Sequence, residues 1–108
     1  MSKCNLSGLT AMVTGGAGGI GLEFAKVLYS FGASLILLDI NEQRLKQAKE
    51  SISQGSPSSN IHLLPIDLTS ENIVEEIENF CSGSSLSPEI LINNAGIFSF
   101  CPIDETDE

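Results

Sequence analysis

Thr14-Gly15-Gly16-Ala17-Gly18-Gly19-Ile20-Gly21 is the stretch that decides how this chain folds. The apolar residues before it, Leu9-Thr10-Ala11-Met12-Val13, read as a strand. Those after it, Ile20 to Phe31, read as a helix, with Ile20, Phe24, Val27, Leu28 and Phe31 at helical spacing. A glycine-rich turn between a strand and a helix brings backbone N–H groups against a pyrophosphate, and the helix N-terminus adds partial positive charge. Glycine is needed because a Cβ would block both the tight turn and the approach of the phosphates. The run satisfies GxGxxG, TGxxGxxG and TGxxxGIG together, in the strand-to-helix context that the mechanism requires. Gly15, Gly18, Gly19, Ile20 and Gly21 are therefore candidate dinucleotide contacts.

Outward from this turn, strands and helices alternate. Gly32 stops the first helix. Ser34 to Asp39 is a continuous apolar run of the kind buried on both faces of a parallel sheet. Asn41 is placed to cap a second helix, whose inner stripe is Leu45, Ala48 and Ile52. A polar loop, Gly55 to Asn60, leads to a third strand, Ile61 to Ile66. Pro65 lacks a ladder donor, which puts it at a sheet edge or a strand end. Thr69 or Ser70 is expected to cap a third helix with Ile73, Val74, Ile77, Phe80 and Cys81 on one face. Glu89 to Asn93 is the fourth strand. The fold class is α/β, a doubly wound parallel sheet forming a partial Rossmann fold. Right-handed crossovers give the expected strand order 3-2-1-4.

Asp39 closes the second strand, where an acid accepts hydrogen bonds from the adenosine ribose hydroxyls. Its carboxylate would repel a 2′-phosphate, and neither the glycine turn nor Ile40 supplies a compensating base. Arg44, the nearest cation, lies a turn into the second helix. NAD is thus expected over NADP. Asp39 also suits simple turn formation. Asp67-Leu68 ends the third strand: the acid can accept from the adenine amino group while Leu68 packs the ring, and position alone leaves turn formation equally open. Asn93-Asn94-Ala95-Gly96 follows the fourth strand. Small residues let the backbone pass close to the cofactor and amides can bridge strands, although Asn and Gly also build ordinary turns.

Other features read as structural. His62 has no set of ligand partners around it, Tyr29 sits on a helix as packing, and Glu71, Glu75, Glu76 and Glu78 form a solvated face. Cys4, Cys81 and Cys101 lack metal-ligand spacing and read as reduced thiols. The 108 residues allow one domain. The formal charge of −9 argues against nucleic-acid and anionic-membrane partners. Met1 to Gly8 contains no apolar segment of a signal peptide, and Leu35 to Leu38 is too short to span a bilayer. A cytoplasmic location is the expectation.

The Thr14 to Gly21 run, Asp39, Asp67-Leu68 and Asn93 to Gly96 together resemble the short-chain dehydrogenases/reductases, and Asn-Asn-Ala-Gly resembles their classical branch. The likeness covers Leu6 to about Thr106. It implies an NAD(P)-dependent oxidoreductase that moves a hydride between nicotinamide and an alcohol or carbonyl substrate, commonly as a homo-oligomer. It also implies roles: Gly15, Gly18, Gly19 and Ile20 on the pyrophosphate, Asp39 and Ile40 on the ribose, Asp67 and Leu68 on the adenine. Asn93, Ala95 and Gly96 would line the cofactor, and Asn94 would tie strands together. The family's catalytic Ser and Tyr-x-x-x-Lys pair fall beyond this strand, and Tyr29 has Ala33 rather than Lys four residues on. No catalytic residue is therefore assigned. The expectation is a cofactor-binding half that ends before the catalytic half and is inactive alone. The competing expectation is a non-catalytic NAD-binding or regulatory module.

Overall fold

The computed structural model describes residues 5–55 and 59–93. Seven elements alternate: β1 (Thr10–Thr14), α1 (Gly19–Ser30), β2 (Ser34–Asp39), α2 (Glu42–Ser53), β3 (Ile61–Pro65), α3 (Ile73–Ser84) and β4 (Ile90–Asn93). All pairs are parallel, in the order β3-β2-β1-β4. The chain winds one way through β1, β2 and β3, then returns to the other side of β1 for β4. That reversal puts the carboxyl ends of β1 and β4 side by side and opens a crevice above them, where α/β sheets hold ligands.

The two sheet faces carry separate cores. On one face Ala11, Val13, Leu35 and Leu37 pack with Ala25 of α1 and with Leu45, Ala48 and Ile52 of α2. On the other, Met12, Ile36 and Leu38 pack with Ile73 and Ile77 of α3. Leu35 to Leu38 are fully buried, as a strand covered on both sides must be. The α2 stripe is the expected one, and Asn41 caps this helix by accepting from the Arg44 N–H at 3.0 Å. Pro65 is the last residue of β3, an outer strand, where its missing N–H interrupts no interior ladder.

Three expectations need correction. The apolar face of α1 points outward: Ile20, Phe24, Val27 and Phe31 are 65%, 46%, 53% and 42% exposed. Gly21 and Ala25 are buried in its place, with Leu22, Leu28 and Tyr29 partly buried beside them. The sheet-facing side lies roughly 100° around the helix from the large residues, since successive residues turn by about that angle. Small residues let the helix axis come close to β1, directly after the glycine turn. Helix α3 begins at Ile73, with Asn72 rather than Thr69 or Ser70 at the cap position. Ser70 instead builds the preceding turn, its hydroxyl accepting from Asn72 N–H and donating to Glu76, each at 3.2 Å. Val74 is exposed, so only Ile73 and Ile77 of that face are fully packed, with Phe80 and Cys81 partly buried beside them.

Candidate functional site

The glycine turn leaves β1 as a shaped loop. Gly15 and Gly19 hold φ at +63° and +59°, the left-handed region where a side chain is strained. Between them, Gly16 lies against β2. Its N–H donates to the Leu38 carbonyl at 3.1 Å. A Cβ on Gly16 would come within 3.0 Å of Leu37 Cδ2 and 3.1 Å of the Val13 carbonyl oxygen. The loop therefore has no room for a side chain on its inner side.

Helix α1 starts from Gly18 without any side-chain cap and without an acid in its first turn. Helix α2 has both, in Asn41 and Glu42. The first N–H groups of α1 are thus left for an outside acceptor, and an uncompensated helix N-terminus favours an anion. Gly19 and Ile20 are exposed there, while Gly21 is buried one residue further on. Gly21 thus lets helix and sheet approach.

Beside this loop, Gly15, Asp39, Ile40, Ile66, Asp67, Leu68 and Thr69 line one cleft of about 200 Å³. The carboxyl ends of β2 and β3 deliver the two acids to it, joined where Ile66 N–H donates to the Asp39 carbonyl at 2.9 Å. Each acid uses one oxygen locally. Asp39 Oδ1 accepts from Asn41 N–H at 3.2 Å. Asp67 Oδ1 accepts from the Thr69 hydroxyl at 2.6 Å and the Thr69 N–H at 2.9 Å. These donors, the hydroxyl first, hold the Asp67 carboxyl below the usual carboxylate range. Both acids are therefore turn formers, and each keeps a second oxygen for a ligand donor. Ile40 and Leu68 add apolar wall, suited to a planar ring.

Asn93 is brought to the same end of the sheet through its pairing with Thr14. Asn94, Ala95 and Gly96 lie outside the described residues, as do Cys4 and Cys101. The remaining side chains are occupied structurally. His62 is half-buried on β3 opposite Ile36, Tyr29 packs against the α1–α2 core, and burial pushes the Cys81 thiol up. Among the described residues no group of three His, Cys, Asp or Glu is placed to hold a metal ion. No helix among them is long and apolar enough to cross a membrane.

A family model described as short chain dehydrogenase matches residues 9–108. The chain belongs to the short-chain dehydrogenases. Short-chain dehydrogenase TIC 32 A, chloroplastic, of Brassica napus is 39% identical over 100 residues, covering 93% of this chain and 31% of that protein. The short chain dehydrogenase/reductase dpmpG of Macrophomina phaseolina is 32% identical over 104 residues, covering 95% of this chain and 59% of its own. Among solved structures, L-sorbose reductase from Gluconobacter frateurii, complexed with NADPH and L-sorbose, superposes with a TM-score of 0.76. It is 28% identical, over 97% of this chain and 40% of that one. This short-chain dehydrogenase chain thus spans less than two thirds of each relative, and its Rossmann-like sheet matches that of the sorbose reductase.

Along the chain Arg44 is the nearest cation to Asp39, a turn into α2, and the fold brings its guanidinium against Gly18. The only signal for this was its place in the first turn of a helix that starts beside the crevice.

Proposed function

We propose that this chain forms the cofactor-binding half of an NAD-dependent oxidoreductase acting on an alcohol or carbonyl substrate. The observation that carries the reading is the single cleft that joins Gly15 of the phosphate turn to Asp39 and Ile40 of β2 and to Asp67 and Leu68 beyond β3. The fit is also steric, because a Cβ at Gly16 would close the loop onto Leu37. In this reading the uncapped start of α1 holds the pyrophosphate. The second oxygen of Asp39 accepts from the adenosine ribose hydroxyls, and that of Asp67 accepts from the adenine amino group. The carboxylate at Asp39 favours NAD, since a 2′-phosphate would meet like charge.

The nicotinamide, when bound, accepts or gives the hydride. The residues described here bind and orient it, and the proton chemistry belongs to a Ser and a Tyr-x-x-x-Lys pair outside them. The chain alone binds cofactor without turnover.

Calorimetric titration with NAD tests the reading. Saturable binding that ADP-ribose displaces, and that Asp39→Asn weakens about tenfold through loss of a charge-assisted hydrogen bond, is expected. Absence of binding to the folded chain overturns it. Turnover of an alcohol by the chain alone overturns the division of labour.

A further inference from the structure

The two outer strands of the sheet differ. β3 finishes on Pro65, which has no N–H to offer a further strand. β4 closes the other edge among the described residues, and Ile90-Leu91-Ile92-Asn93 carries no charge and no proline. Its register with β1 runs without a bulge. Ile90 and Ile92 pack against the core under α1 and α2, and Leu91 against the core under α3, yet all three stay only partly buried. An edge of this kind is a template for another strand. The ladder fixes which backbone groups are open. Ser34 N–H donates to the Leu9 carbonyl at 2.9 Å, so alternate residues from Leu9 turn to β2, while Thr10, Met12 and Thr14 turn to β4. Met12 stands opposite Leu91, and its partners are therefore the Ile90 carbonyl and the Ile92 N–H. At the entry to the strand, Glu89 N–H donates to the Thr10 carbonyl at 2.9 Å. The groups that point off the sheet are the N–H and carbonyl of Leu91 and of Asn93.

We propose that two copies of this chain pair antiparallel through β4, with Ile92 on the two-fold axis, into one continuous sheet. A two-fold axis normal to the sheet keeps each face on its own side. Side chains alternate along a strand, so the positions that face each other must be equal or differ by an even number. The register that uses every open group sets Leu91 opposite the second copy's Asn93, and Asn93 opposite its Leu91. Each of these pairs exchanges both of its N–H···O bonds, and Ile92 meets Ile92 in the close position between them. An axis through Leu91 would instead oppose Asn93 to Glu89, whose N–H is already given to Thr10. Glu89 falls outside the bonded pairs, so no like charges are opposed. The two crevices then open at opposite ends of the joint sheet, and pairing does not depend on a cofactor. A contact made by one short strand lies below the size of a standard stable interface, so the dimer forms reversibly as concentration rises.

Sedimentation equilibrium of the whole chain, from micromolar to millimolar, is the first test. A reversible monomer–dimer equilibrium is expected, and a monomer at every concentration overturns the proposal. Asn93→Pro removes an outward N–H from each copy and leaves the bonds to β1 in place. It should weaken the dimer about tenfold or more, with circular dichroism establishing that it is folded. A folded variant that dimerises as the wild type does overturns the use of this edge. Cysteine cross-linking tests the register, and it decides the matter should Asn93→Pro unfold. Facing residues at the non-hydrogen-bonded position lie about 4.5 Å apart at Cα, within reach of a disulfide. Under copper–phenanthroline oxidation Ile92→Cys should therefore give a disulfide-linked dimer, above the background set by the wild type with its 3 native cysteines. Leu91→Cys, which faces Asn93, should stay near that background. Equal cross-linking at the two positions, or none above background at Ile92→Cys, overturns the proposal.

Discussion

The Thr14 hydroxyl donates to Asn93 Oδ1 at 3.2 Å, across the seam where β1 and β4 pair directly. Thr14 is fully buried, the one polar side chain so enclosed among the described residues. It ends β1 and opens the glycine run, while Asn93 opens the Asn-Asn-Ala-Gly motif. The bond thus fixes the last residues of β1 and β4 to each other at the carboxyl end of the sheet, with the Ile92 carbonyl at 3.4 Å as a second acceptor for the same proton.

Thr14→Val keeps the shape and removes that donor. The expected loss is about 1 kcal/mol of folding stability, read as a fall of roughly 5 °C in Tm for a domain of this size. Asn93 is exposed and can turn to water, which keeps the loss near that value. A thermal melt of the variant beside the wild type checks it, and an unchanged Tm would show that the hydroxyl contributes nothing at this seam.

Neighbouring glycines in the turn should respond differently to alanine. At Gly16 the new methyl meets Leu37 and the Val13 carbonyl in the packed interior, so Gly16→Ala should cost about 1–3 kcal/mol. At Gly18 the backbone is extended, with φ −170°, and the methyl meets only the movable end of Arg44. Gly18→Ala should cost no more than about 1 kcal/mol, the loss of a favoured cap residue. Urea unfolding of the two variants orders them, and the reverse order would contradict the packing described here.

Asp67 provides a test in pH. Its folded-state pKa is depressed, so the stabilisation from its ionised form is present at neutral pH. That stabilisation is lost as pH falls through the folded pKa. The Thr69 hydroxyl is the leading cause. In Thr69→Ala the backbone donor remains and the hydroxyl is gone, so Asp67 should titrate higher, nearer an ordinary carboxylate. NMR chemical shifts of the Asp67 carboxyl against pH measure this directly. An identical titration in both proteins would remove the hydroxyl as the cause.

The sequence revealed most where one local force dominates. The run Ser34–Asp39 is apolar from Leu35 to Leu38 and makes a strand covered on both faces there, with the expected ends. Asn41 and the stripe Leu45, Ala48 and Ile52 were legible because capping and helical period agree. Helix α1 was misleading because its large side chains obey the same period while lying away from the sheet. There, close approach to β1 outweighs apolar volume, so Gly21 and Ala25 face inward. The start of α3 was hidden because Thr69 and Ser70 are good caps in general, but each is already engaged, with Asp67 and with Asn72 and Glu76. At the candidate site, Gly15, Asp39, Ile40, Asp67 and Leu68 were individually visible, and the topology brings them to one cleft. Arg44 was not visible as a neighbour of Gly18, because that proximity depends on how α2 returns beside α1.

The hydrogen bond from Gly16 to the Leu38 carbonyl makes the glycine loop an outlying rung of the sheet ladder. Such a loop has little freedom left to lose when an anion arrives, so less of the binding energy is spent on ordering it. It should also exchange its Gly16 amide hydrogen slowly, together with the strands and unlike an ordinary surface turn.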